Sequence, residues 1–259
     1  MTSVFPLIAT CWLALRAAAL PAESEAYRRH VLADAALLPA ERLPQYAGRS
    51  FAPVWLHADD AGALGFIGPN YQRLDLKLLS VQPTAGQPGQ YTVTGKSRVK
   101  TNVAAFQGTF RVLHVRVNRD RPRTVDDEPT VAVKSGIVLA AYELREPAGQ
   151  PGTGIFRGVL QAKWYEDARG RLYYDNLLNV ADSYANNQGV GTWTSYRSGQ
   201  VKRCNWGDYR IPNSGDLDQG AAEFSPSAKY LAYGWQQYRQ AWTEQDPAAK
   251  KRELAAWWR

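Results

Sequence analysis

Cysteine, histidine and methionine are scarce in this chain, at 2, 3 and 1 of 259 residues. Cys11 falls in a leader segment expected to be removed, which would leave Cys204 alone. No internal disulfide framework is then available, and a hydrophobic core must hold the fold. His30, His57 and His114 sit far apart in different elements, which argues against a histidine metal centre. Also lacking are a phosphate-binding loop, a dinucleotide fingerprint, a nucleophile elbow and a zinc-type cysteine pair. No cofactor and no metal site are expected. Beyond the N-terminus no run approaches the ~20 apolar residues a membrane-spanning helix needs.

The chain has 31 basic against 24 acidic residues, a net charge of +7. Lys96, Arg98, Lys100, Arg111, Arg116, Arg119, Arg121 and Arg123 concentrate the excess, with Asp120 the one acid among them. A nucleic-acid surface would interleave them with exposed aromatics or set them on a recognition helix; the region reads instead as paired strands, so they form the solvated face of a sheet.

Hydrophobic residues make up 45% and aromatics 12% of the chain, enough for a substantial core. Val4 to Leu15 has the length of a signal-peptide apolar region, and Ala17, Ala18, Ala19, Leu20, Pro21 and Ala22 suit cleavage. Residues 1–22 are therefore expected to direct export to the periplasm, cell surface or medium. Leu7 to Cys11 resembles a lipobox, from which Thr10 departs.

Residues 23–50 form a helical lead-in, with a helix over Glu23 to Leu38 ended by Pro39. The period changes to two from about Tyr71, where Leu74, Leu76 and Leu78 alternate with Arg73, Asp75 and Lys77. Further strands follow around Tyr91, over Phe106 to Val117, Val131 to Glu143 and Ile155 to Tyr165, then at Leu172 to Tyr174, Val190 to Tyr196 and Val201 to Ile211. The apolar parity slips at Val112 and Leu113, as a β-bulge would make it. Val131 to Glu143 is apolar at both parities, as in a strand covered on both faces. Phe106-Gly108-Phe110 recurs as Phe156-Gly158-Leu160, placing glycines where strands bend or backbones approach closely.

Eight or nine strands with short connections predict a mainly β domain over 51–224, a single antiparallel meander closed into a barrel, with a β-sandwich as the alternative. Ser225 and Pro226 open an amphipathic helix carrying Leu231, Trp235, Tyr238 and Trp242, and 225–259 is expected to pack as helices on the barrel. The meander followed by a helix is similar in outline to lipocalin barrels. The glycine and tryptophan that open the first lipocalin strand occur here as Gly191 and Trp193, near the end, so the likeness is one of architecture.

Function centres on Asn186 to Phe224, the densest mixture of aromatics, amides and carboxylates. A small barrel can hold one hydrophobic or amphipathic ligand, and the candidate contacts are Phe110, Phe156, Trp164, Trp193, Trp206 and Tyr209. An alternative is carbohydrate hydrolysis, in which Asp208, Asp216 and Glu223 supply the acid and base while aromatics stack on sugar rings. A third is a structural surface protein that docks a partner through Trp257 and Trp258. Asn213-Ser214-Gly215-Asp216 is also a strong turn signal.

Overall fold

Alternating side chains between residues 63 and 208 build nine strands, all paired antiparallel: β1 (Ala63–Ile67), β2 (Gln72–Pro83), β3 (Gln90–Val99), β4 (Asn102–Val117), β5 (Ala132–Arg145), β6 (Gly154–Asp167), β7 (Leu172–Tyr174), β8 (Asn186–Ser195) and β9 (Val201–Asp208). The computed structural model describes residues 19–56 and 62–259; most of the expected leader, Cys11 and His57 lie outside them. Strands β1 to β6, β8 and β9 form a closed ring of eight, sealed where β9 pairs with β1. The three-residue β7 lies outside this ring, pairing with β6 past the end of β8. Closure leaves no open sheet edge around the ring.

The expected bulge is present: the β4–β5 register shifts between Val112 and His114. Strand β5 is apolar on both faces because its outward residues Ile137 and Leu139 lie under Val31 and Leu37 of the N-terminal segment. The recurrent glycines serve close approach. A Cβ on Gly158 would sit 2.6 Å from Tyr142 Oη and 2.2 Å from the Val190 carbonyl oxygen, so the Tyr142 ring occupies space that the glycine leaves.

Helix α1 (Ala22–Leu32) stops six residues short of the expected end. Beyond it the backbone finds other partners: Asp34 Oδ1 accepts from the Ala36 amide at 2.9 Å, and Leu37 bridges to Asn118. Two short helices, α2 (Leu43–Tyr46) and α3 (Ala52–Leu56), follow past Pro39, where the predicted helix ends. They stopper one barrel end. Trp55 packs on Tyr91 and Phe110 at 4.9 and 5.2 Å between ring centroids, and Tyr46 packs on Trp164 at 5.1 Å. Strand β1 precedes the expected start of the sheet; its outward Phe66 is buried with Ile211, Phe224 and Trp235, which hides the alternation.

The predicted C-terminal helix is broken. A 3-10 turn over Ala228–Tyr233 is separated from α4 (Gln236–Trp242) by Gly234, whose φ of 96° ends one helical path before the next begins. Helix α5 (Pro247–Glu253) starts at Asp246, whose side chain accepts from the Ala248 and Ala249 amides. None of the described helices is long and apolar enough to cross a membrane.

Candidate functional site

The barrel end opposite the α2–α3 stopper carries the β1–β2, β3–β4, β5–β6 and β8–β9 hairpins, and between them the mouth is concave. This cup has a volume of about 480 Å³, within the range of roughly 300–1,000 Å³ usual for small-molecule pockets. Ile67, Val99, Phe156 and Trp193 supply its apolar wall; Gln72, Ser97, Asn102, Glu146, Lys100 and Lys202 supply its polar groups. Strand parity explains the placement, since Ile67, Ser97, Phe156 and Trp193 all lie on the inward side of their strands at the last layer before solvent.

Glu146 is the chemical centre of the cup. It follows β5, continues the inward parity of Tyr142 and Leu144, and is buried. Its Oε2 accepts from Trp193 Nε1 at 2.9 Å and from the Gly154 amide at 2.8 Å, and Ser97 Oγ bonds its Oε1. Burial nevertheless lifts the carboxyl above its ordinary value, outweighing the three donors. Lys202 Nζ lies 5.6 Å from the centroid of the Trp193 ring. Lys100 occupies the two-residue β3–β4 turn with a φ of 56°, a left-handed conformation that favours glycine or asparagine.

A second concavity, about 550 Å³, runs outside the barrel between its wall and the C-terminal helices. One side is a buried ionic network: Arg73 Nη2 lies 2.7 Å from both Asp75 Oδ1 and Glu253 Oε2, and Arg98 Nη2 2.9 Å from Asp75 Oδ2. At its head Asp208 Oδ2 accepts from Tyr174 Oη at 3.1 Å and Asn187 Nδ2 at 2.8 Å. Three non-glycine residues with positive φ gather there, Ser183, Asn187 and Tyr209.

The sequence candidates divide between these places. Trp193 and Phe156, 7% and 1% exposed, belong to the same core cluster and form its last layer, facing the mouth. Trp164, Trp206 and Phe110 are at most 1% exposed and belong to the filled barrel core. Among the described residues the indole nitrogen of Trp164 has no hydrogen-bond partner, unlike that of Trp193. Tyr209 lines the outer groove, packed edge-on against Tyr184 at 5.0 Å. Of the three carboxylates, Asp208 and Glu223 line that groove. Asp216 is set apart in the loop, bonded to Lys229 Nζ at 2.9 Å and Tyr230 Oη at 2.7 Å, which together hold its carboxyl below the ordinary range. Trp257 and Trp258 stack edge to face and lie over Arg98 and Lys77. His114 is held between Arg28 and Glu41 on the outer wall. Among the described residues no three His, Cys, Asp or Glu side chains are grouped to hold a metal ion.

Sequence reasoning missed Glu146, Ser97, Lys100 and Lys202. One signal was available: extending the β5 alternation past Leu144 puts a carboxylate on the apolar parity immediately before the Pro147 turn. The lysines gave none, because charged residues in hairpin turns are ordinary. Comparison with protein-family models, with curated proteins and with solved structures finds no match to this chain, so its reading rests on this geometry.

Proposed function

We propose that this is an exported barrel protein that binds one small amphipathic ligand at the open mouth of the barrel. The observation that carries the reading is a cup with an aromatic and aliphatic wall, Phe156, Trp193 and Ile67, containing a few converging polar groups around buried Glu146. Most of the barrel interior is filled, so the ligand sits in the mouth and does not run through the barrel. Among the described residues the mouth lining holds a single carboxylate and no histidine, which suits binding better than paired acid–base chemistry. The apolar run Val4 to Leu15 and the alanines after it support export.

Decanol is a suitable first probe, followed by calorimetry and by tryptophan fluorescence. Saturable binding that is lost in Val99→Asp, at a half-buried position of the mouth, and kept in Asp216→Asn is expected. Absence of binding, or binding indifferent to the Val99 substitution, would overturn the reading.

The outer groove favours a second reading, carbohydrate hydrolysis, because Asp208 and Glu223 share it with Tyr209 and Trp242. Sugar release that survived both Asp208→Asn and Glu223→Gln would dismiss it.

A further inference from the structure

We infer that the ligand of the barrel mouth is an amphipathic anion, its acidic head held at the rim by Lys100 and Lys202 and its apolar body laid on Phe156 and Trp193. The inference rests on the mouth being the binding site and adds the charge of what enters it.

Both lysines line the cup, and among the described residues neither ammonium has a carboxylate within ion-pair distance. The one acid among the described lining residues, Glu146, already accepts from Ser97, Trp193 and the Gly154 amide, so most of its acceptor capacity is committed to the protein. A cationic ligand would therefore meet two repelling ammonium groups and an acid with little left to offer. An anion meets two cations at the rim, with Asn102 and Gln72 as further polar neighbours.

Two further observations agree. Lys100 sits in a backbone conformation that disfavours side chains other than asparagine, aspartate or glycine, yet the chain carries a long cation there. The two concavities also differ in sign. Among the described residues the outer groove is lined by the carboxylates Asp75, Asp182, Asp208, Glu223 and Glu253 against three arginines, whereas the mouth has two lysines against one buried acid. Of the two, the mouth is the concavity suited to an anion.

Carboxylates of single-chain amphiphiles and acidic lipid headgroups share this chemistry, and the test separates them. Decanoate, decanol and decyltrimethylammonium are titrated below their micelle concentrations, and phosphatidylglycerol vesicles are assayed by flotation. Decanoate is expected to bind about tenfold tighter than decanol, and the ammonium compound weakest, at low salt; the difference should collapse near 1 M salt, where the screening length falls to about 3 Å. Lys100→Gln with Lys202→Gln should bring decanoate to the decanol level and leave decanol unchanged, while the double arginine variant keeps the preference. Lysine-dependent flotation with weak decanoate binding would also support an acidic head and assign it to a bilayer lipid. Equal binding of decanoate and decanol, or equal loss of both in the glutamine variant, would overturn the inference and leave the mouth as a binding site. Failure of all three soluble probes together with the vesicles would instead overturn the mouth itself.

Discussion

At Glu146 burial and hydrogen bonding pull the carboxyl in opposite directions. Its carboxyl is lifted above the ordinary 4.5 because burial exceeds the help of its three donors. The folded protein thus keeps this proton to a higher pH than the unfolded chain does. The group's stabilising share is complete below the unfolded value and declines as pH rises through the folded one. Glu146→Gln is neutral at all pH and can bond the same partners once the Ser97 hydroxyl turns to accept. The variant is expected to melt with wild type near about pH 4 and above it near about pH 8. A wild type that is the more stable at the higher pH would show that the donors dominate. At Lys100 the conflict is between backbone and cargo. Lys100→Asn relieves the left-handed strain and should stabilise by about 1 kcal/mol while weakening anion binding; thermal melts and titrations that moved together would contradict that trade.

At the scale of elements, the C-terminal segment is fastened to the barrel wall by charged and aromatic contacts. Glu253 of α5 enters the Arg73–Asp75 pair, and Arg98 and Lys77 lie against Trp257 and Trp258. Burial raises the Glu253 carboxyl, but the hydrogen bonds and charge of Arg73 exceed that and hold it below 4.5. Its contribution is therefore present above the unfolded value and lost as pH falls through the folded one. Amide exchange in 247–259 should accelerate in acid before exchange in the barrel strands does. Glu253→Ala should produce the same loosening at neutral pH and cost about 3 kcal/mol, the low end for a broken buried pair, because Asp75 still faces Arg73. Simultaneous exchange of barrel and segment would refute this order.

Elements also show what one-dimensional reading could reach. The β4 bulge was legible because a slip of parity has one geometric meaning. The single long C-terminal helix was misread because the Leu231–Trp242 stripe has helical spacing, while Gly234 takes a left-handed φ only in its packed setting. Strand β1 was hidden because both its faces are covered, one by the barrel core and one by the C-terminal segment.

For the whole molecule the decisive feature is a barrel filled over most of its length. Phe106 and Leu144, two of the core residues inside the ring, are 2% and 0% exposed. Ligand chains should therefore gain affinity about fourfold per methylene, near 0.8 kcal/mol each, only until they reach this floor. A carboxylate series from hexanoate to tetradecanoate should show that rise and then a plateau. A rise that continued unbroken to the longest chain would mean that the core opens.

Period-two alternation and turn residues determined a meander with an apolar face, because these are local properties of neighbouring residues. Which aromatics fill the core and which line a cup was decided only in the tertiary structure. Trp164 and Trp193 share the inward parity, and their difference lies in distance from the barrel end and in what covers it. The meeting of Glu146, Ser97, Lys100 and Lys202 at one rim likewise depends on the closure of the ring, which joins hairpins far apart in the chain.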